Sequence, residues 1–474
     1  MDFEPVIGIE IHAQLKTKSK MFSSAPVSFG DRPNSNVAPL DIAFPGALPT
    51  VNKEAIIYAI RVCHALNMKI DDLLVFDRKN YFYSDLPKGY QLTQYFRPIG
   101  KDGYLTLKSN IFEKKIGIER LHIEEDTCKQ IHEADYSLLD YNRSGIPLLE
   151  IVSLPEISSG LEAQKFVEEV RSILTFLDVS DGKMENGSLR CDVNVSLREK
   201  GSNKLGTKVE IKNLNSFSNI QKAIDFEIDR QKSLLLDGKK LKQETRRFDE
   251  NRQETVLMRV KVDDVDYKYF TDPNIVPIRL SEAFIKKAIE DMPELASSKH
   301  NRYLSYGLNE YDANLLVSSK EISDFFDEGI KTGVNPKSLA NWVIQDVFSY
   351  LNKEDINIKE SKVSALNLCE LISFIEKNEI SNKQAREVFA KMTISGHTAK
   401  EIILENNMSQ MNDEKLLSEI VNKVIDNNPK VVVDYKSGID HVIGYIVGQV
   451  MKETRGKANP SLVNKLILNE LKRR

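Results

Sequence analysis

The sequence predicts an α+β fold, with a largely antiparallel sheet in its first part and helices alone in the rest. Three observations carry this reading. Residues 1 to about 292 hold short runs that alternate at period two: "VIGIEIHAQL", "IGIERLHIEED", "LLEIVSL", "RCDVNVSLR" and "TKVEIKNL". Amphipathic helical stretches are interspersed among them without the strict strand-helix-strand alternation of a parallel sheet. Beyond residue 292 the apolar positions recur at helical spacing.

The first strand rests on Ile7, Ile9, Ile11, Ala13 and Leu15, which share one face. The helices of this part are "NKEAIIYAIRVCHALNM", "GLEAQKFVEEVRSILTFL" and "FSNIQKAIDFEIDRQKSLLLDG", the last closing at Gly238. A helical zone follows "DMPELASSK". In "NPKSLANWVIQDVFSYL", Asn335 caps, Pro336 enters the first turn, and Leu339, Trp342, Val343, Val347 and Leu351 form the buried stripe. The lone tryptophan reads as a core anchor. After the polar stretch "ENNMSQMNDE", two helices flank the loop "ETRGKANP", with Gly456 ending one and Asn459 and Pro460 starting the next. The expected domains are therefore 1–292, 293–405 and 406–474.

Composition excludes several classes. At 474 residues, 41% hydrophobic and 29% charged, the chain reads as globular. No apolar run approaches the roughly 18 residues of a membrane span. The start, "MDFEPVIG", lacks the basic and apolar regions of a signal or transit peptide. Cys63, Cys128, Cys191 and Cys369 are scattered without a CxxC. That argues against a disulfide framework or a zinc knuckle and fits a reducing cytoplasm. A net charge of −4 does not advertise nucleic-acid binding, but residues 441–474 carry seven Lys/Arg against two Asp/Glu, a local basic tail.

The polar faces of the strands are unusual. Glu10, His12 and Gln14 oppose the isoleucines of the first strand. Asp192, Asn194 and Ser196 share a face, as do Lys208, Glu210 and Lys212; Glu150 interrupts an apolar run. His122, Glu124 and Asp126 lie together, whereas alternation puts Glu125 on the Leu121/Ile123 side unless a bulge re-aims it. Any one such strand is explained by a sheet with a solvated face. Several strands rich in carboxylates, with histidine among them, point to a cation. Oxygen ligands with an imidazole suit Mg²⁺ or Mn²⁺ better than zinc, and magnesium usually shares its shell with phosphates. Yet there is no GxxxxGK[ST], no GxGxxG and no HExxH; "HEADY" at 132–136 lacks the second histidine. A nucleotide would thus be held on the sheet by metal and basic side chains. In "FDRKNYFYSDLPKGYQLTQY", basic residues interleave with tyrosines, which suits either a phosphate- and base-binding loop or one pinned to the core.

The chain resembles a known family along essentially its whole length. The matching motifs, in order, are "VIGIEIHAQLKTKSKMF", "FPGALPTVNKEAI", "DRKNYFYSDLPKGYQLTQY", "DYNRSGIPLLEIVS", "GSLRCDVNVSLR", "KVEIKNLNSF", "RRFDENRQETVLMRVKVDDVDYKYF" and "GYIVGQVMKETRGKANPSLVN". They are similar to the B subunits of tRNA-dependent amidotransferases, the GatB/GatE family. The resemblance implies a cradle-like catalytic domain related to glutamine synthetase, then a helical domain and a tail domain that contact tRNA. It implies ATP- and Mg²⁺-dependent phosphorylation of the side-chain carboxylate of Glu-tRNA(Gln) or Asp-tRNA(Asn). Ammonia from a glutaminase partner (GatA) then displaces the phosphate, and a third, small partner (GatC) completes a bacterial cytoplasmic heterotrimer.

Carried over by position, the resemblance implies metal ligation by His12, Glu150 and the Glu124–Glu125 pair, and a place on the ammonia route for Lys79. Strand phase adds Glu10 to the metal set, and Asp192 and Glu210 to the catalytic set with Lys79 and Glu125. The tRNA contacts expected are Tyr81, Tyr83 and Lys88 in the aromatic segment, and Lys452, Arg455 and Lys457 in the tail. One departure is plain. Many relatives carry two cysteine pairs in their first fifty residues, but here "MFSSAPVSFG" and "NVAPLDIAFPG" have none, so no zinc is expected and packing must hold that loop. A tRNA-binding scaffold without chemistry is disfavoured by the acidic face, which repels phosphates. A free-standing amide ligase acting on a small amino acid is disfavoured by the basic tail and helical zone.

Overall fold

The computed structural model describes residues 2–109, 111–260, 266–406, 414–437, 442–454 and 458–474. Contacts divide the chain into two compact units, Met1–Ala296 and Ser297–Arg474.

The first unit is built on a nine-stranded sheet. Its strands are β1 (Phe3–Gln14), β2 (Lys69–Ile70), β3 (Gly100–Lys108), β4 (Glu113–Glu125), β5 (Pro147–Ser153), β6 (Leu189–Glu199), β7 (Val209–Lys212), β8 (Glu244–Asp249) and β9 (Glu254–Val260). They lie in the order β9-β8-β7-β6-β1-β5-β4-β3-β2. Every pairing is antiparallel except β7 with β8, which is parallel and therefore needs a crossover. The helix Phe217–Leu236 supplies that connection. The first strand thus ends in mid-sheet, between β5 and β6.

Three helices cover one face: α1 (Lys53–Ala65), α2 (Gly160–Phe176) and α3 (Phe217–Leu236). Each starts at a side chain that accepts from free first-turn amides: Asn52, Ser159 and Ser216. Ile7, Ile9, Ile11 and Ala13 of β1 are buried with Ile60 of α1, Phe166 and Val170 of α2, and Ile224 of α3. The alternate residues of the sheet are left for the other face.

The loop between β1 and α1 is held in part by a buried ion pair. Lys20 is fully buried, and its Nζ donates to Asp41 Oδ2 at 2.8 Å and to the Tyr141 carbonyl at 3.0 Å. Asp41 also accepts from Ser23 Oγ and the Ala38 amide. A buried ion pair with satisfied hydrogen bonds therefore pins this cysteine-free segment.

The second unit is helical. Trp342 packs beside Phe389, with ring centroids 5.8 Å apart. The helical stretch that begins at Pro336 after its Asn335 cap runs on through Val343–Val347, which form one wider turn, to Glu354. A separate apolar cluster gathers Leu417, Val421, Ile446, Val450, Val463 and Ile467. Asn459 caps Pro460–Arg473 as the sequence predicts, while Gly456 lies outside the described residues. All four cysteines are buried thiols. Among the described residues no helix is long and apolar enough to cross a membrane.

Candidate active site

Register turns the period-two pattern into a site. On β1, Glu10 stands opposite Asp192 of β6, and His12 stands between Arg190 of β6 and Glu150 of β5. Glu150 in turn faces His122 of β4. One rung of the sheet therefore reads Arg190, His12, Glu150, His122 across four strands. Glu124 is two residues beyond His122 and so shares its face. On the far side Asn194 opposes Glu210 of β7.

This face forms the floor of a cavity of about 950 Å³. Lys79, Tyr81, Tyr95, Tyr267 and Tyr269 also line it. The rings of Tyr95 and Tyr269 stack 3.8 Å apart, and Tyr81 meets Tyr267 edge to face. The Lys79 ammonium sits 5.0 Å from the Tyr267 ring centre. The strand Asp77–Asn80, which carries Lys79, is held by pairing with Tyr90–Thr93 and Phe270–Thr271.

Two charge clusters share the floor. In the first, His12 Nε2 is 3.2 Å from Glu150 Oε2 and 3.7 Å from Glu124 Oε1. His122 Nε2 mirrors it, 3.2 Å from Glu150 Oε2 and 3.8 Å from Glu124 Oε2. Burial works against charge on these rings, but the carboxylates outweigh it: His12 is raised, and His122 is held up to about 9. Burial likewise opposes charge at Glu150, yet the two histidines hold its carboxyl well below the usual range. In the second cluster, Lys212 Nζ bridges Asp192 at 2.5 Å and Glu210 at 3.2 Å, which raises the Lys212 pKa against the pull of burial. Glu10 lies between the clusters. Burial, then Glu150 and Asp192, push its carboxyl up.

A cationic rim accompanies these acids. Arg190 reaches Asp126 at 3.1 Å, and Arg143 and Gln14 hold the same carboxylate. Burial disfavours charge on Asp126, but Arg190 and Arg143 keep its pKa low. Arg120 lines the cavity 3.9 Å from Glu150. Preorganised cations beside buried carboxylates suit the approach of two anionic reactants.

Most of the expected site residues converge. Glu10, His12, Lys79, Tyr81, Glu124, Glu150, Asp192 and Glu210 all line the cavity. Two expectations are corrected. No bulge forms near Glu125, because β4 keeps its register with β5 to its end and the only shift lies at Val152/Ser153. Glu125 therefore points away from the cluster of His12, Glu124 and Glu150, bonded to Lys88 and the Leu92 amide. Lys88 is correspondingly buried, its charge spent on Glu125 rather than offered to a nucleic acid. Tyr83 is exposed on the neighbouring loop and does not line the cavity, and Lys452 is exposed. Arg455 and Lys457 lie outside the described residues. His132 of "HEADY" sits exposed in a hairpin, Lys129–His132 with Ser137–Asp140.

Sequence reasoning missed Arg120, Arg190, Lys212, Tyr267 and Tyr269 as site residues. Phase held a signal for three of them. Arg120 is on the His122 face, Arg190 on the Asp192 face and Lys212 on the Glu210 face.

Comparison with known proteins gives the family. Residues 5–286 match the GatB/GatE catalytic domain and residues 324–471 the GatB domain. The chain is 47% identical over 475 residues to the B subunit of the aspartyl/glutamyl-tRNA(Asn/Gln) amidotransferase of Staphylococcus aureus (strain bovine RF122 / ET3-1), covering all of both chains. Proteins of the same description from Persephonella marina and Lysinibacillus sphaericus are 47% and 46% identical, again with full coverage of both chains. With its whole length matched by relatives 46–47% identical and residues 5–286 matched by the catalytic-domain model, the chain belongs to the GatB/GatE family.

Proposed function

We propose that this chain is the B subunit of a tRNA-dependent amidotransferase. In this reading it activates the side-chain carboxylate of Glu-tRNA(Gln), Asp-tRNA(Asn) or both with ATP, and ammonia then converts it to the amide. The observation that carries the reading is one cavity floor on which His12, Glu124 and Glu150, able to hold a cation, stand beside arginine and lysine side chains. A carboxylate oxygen leaves poorly, so it must first be converted to an acyl phosphate, and that requires two anions to meet.

His12, Glu124 and Glu150 fit a divalent cation, since one donor atom from each lies within 4.8 Å of the others. Mg²⁺ bound there would neutralise phosphate charge. Arg190 and Arg120 flank this cluster and draw the anionic groups toward the floor. Asp192, Glu210 and Lys212, with Glu10, order the neighbouring half of the cavity. Lys79 and Tyr81 border the path by which ammonia and the acceptor end enter. No zinc belongs to this scheme. Ammonia comes from the glutaminase partner GatA, braced by the small partner GatC, in a cytoplasmic heterotrimer. In the same proposal residues 1–292 form a glutamine synthetase-like catalytic cradle. Residues 293–405 form a helical domain. Residues 406–474, with Lys452, Arg455 and Lys457, contact tRNA, as does Tyr83 near the cradle.

The test is reconstitution with GatA, GatC, glutamine, ATP and Mg²⁺, offering Glu-tRNA(Gln) and Asp-tRNA(Asn) separately. ATP-dependent formation of Gln-tRNA or Asn-tRNA supports the reading and fixes the substrate. Binding of tRNA without conversion of either overturns it.

A further inference from the structure

We propose that Tyr95 and Tyr269 form a stacking platform for the terminal nucleobase of the tRNA acceptor end, and that the strand behind it leaves over Phe96. The inference rests on the reading of this chain as an amidotransferase subunit. Its basis is an unbroken row of aromatic rings. Tyr81 meets Tyr267, Tyr267 meets Tyr269 edge to face at 6.0 Å, Tyr269 stacks on Tyr95, and Tyr95 meets Phe96 edge to face at 5.1 Å. The four tyrosines line the cavity and Phe96 does not, so the row leads from the cavity to the protein surface. Exposure rises along it. Tyr267 and Tyr269 are half-buried, whereas Tyr95 is 55% and Phe96 56% exposed.

The row is firmly mounted. Asp77 is fully buried and accepts from the Phe96 amide at 2.9 Å and from Thr271 Oγ1 at 3.1 Å. That carboxylate ties the segment carrying Tyr95 to the strand that follows Tyr269. Tyr269 covers one face of Tyr95, with the rings only 9° from parallel, and the rest of Tyr95 is held open. Exposed aromatic surface kept in a fixed order marks a binding surface, and a nucleobase has the flat face to cover it. The occupant follows from two arguments. A site for a small nucleotide buries most of its ligand, but this row continues past the cavity, as a strand would. The amino acid is esterified to the terminal ribose, so its carboxylate reaches the charged floor only if the terminal base lies beside that floor. Tyr269 stands there: burial and the Glu150 charge both push its phenol pKa up.

The experiment uses the heterotrimer reconstituted with GatA and GatC, and a photoreactive azidoadenosine as the probe. The probe is placed at the terminal position of tRNA(Gln) or tRNA(Asn), or supplied as the triphosphate. Cross-linking by light, then peptide mapping, reads which base meets Tyr95 or Tyr269; the tRNA probe is expected there. Tyr95→Leu should weaken tRNA binding by about fivefold or more, and Tyr95→Phe, which keeps the ring, should restore it. Labelling of these tyrosines by the triphosphate alone, or by neither probe, overturns the platform, as does a tRNA affinity unmoved by Tyr95→Leu. Amidation by the same complex separates the two readings. A complex that still forms Gln-tRNA or Asn-tRNA without that cross-link loses only the platform. One that cross-links tRNA at Tyr95 yet amidates neither tRNA keeps the platform and loses the amidotransferase reading.

Discussion

Replacing Lys20 with methionine should destabilise the first unit sharply. Lys20 is fully buried and Asp41 is 3% exposed, so the substitution leaves a carboxylate out of water without its cation. Removing one partner of a buried pair costs about 3–5 kcal/mol. Asp41 would keep its bonds from Ser23 Oγ and the Ala38 amide, which places the expectation near the lower end, about 3 kcal/mol. At about 2–4 °C per kcal/mol for a domain of this size, the unit's Tm should fall by roughly 6–12 °C. The site has little room to relax. Gly145, at φ +82°, already brings its backbone so close that an added Cβ would lie 3.0 Å from Asp41 Oδ1. The Lys20→Met/Asp41→Asn double variant removes the stranded charge and should recover most of the loss. The assay is thermal and urea unfolding of the full chain, followed by near-ultraviolet circular dichroism. A single variant within about 1 kcal/mol of the unsubstituted chain, or a double variant no better than the single, would refute the argument that an ion pair holds this loop.

Glu150→Gln should weaken Mn²⁺ binding by at least about tenfold, while Glu125→Gln changes it less than about twofold, since Glu125 faces Lys88 instead; calorimetric titration of each variant checks this. Asn52→Ala should cost about 1–2 kcal/mol by urea unfolding, because it removes the acceptor for two amides at the start of α1 and the donor to the Ser19 and Lys20 carbonyls. In the second unit Asp327 accepts from Arg302, Lys299 and Tyr303, and although burial disfavours its charge these partners lower its pKa. Its folded pKa lies below the unfolded one, so its contribution is present above about pH 4 and is lost as pH falls through the folded value. Asp327→Asn should accordingly lower stability at pH 7 and flatten the acid limb of a stability-pH curve, read by the fluorescence of Trp342.

The charged floor was legible to the extent that it depended on strand phase. Period two put Glu10 with His12, His122 with Glu124, and Asp192 with Asn194, and each pair belongs to the face that forms the cavity floor. It also put Glu125 on the far side, where the structure has it; the expectation that failed was the bulge that would have re-aimed it. The β8 and β9 strands, "ETRRFD" and "ETVLMRV", are not legible as strands, because their charged residues blur the alternation. β9 ends the sheet with Leu257–Val260 exposed, so fewer of its positions were constrained to be apolar. The stacked tyrosines were unreadable for another reason. Tyr95 and Tyr269 are far apart in the chain and share no local pattern.

The amino-acid sequence by itself determined the α+β class, the helices with their caps, the face on which each polar strand residue would stand, and the family. These follow from local periodicity, from residues acting on amides two or three positions away, and from motifs long enough to be specific. Only the tertiary structure decided that β1 lies between β5 and β6, so that His12 meets Glu150 and Arg190 across more than a hundred residues of chain. It alone paired Lys20 with Asp41, and Lys88 with Glu125. Which charges neutralise one another is set by register and strand order. Those are chosen by the packing of the whole apolar face, and no short window of sequence contains it.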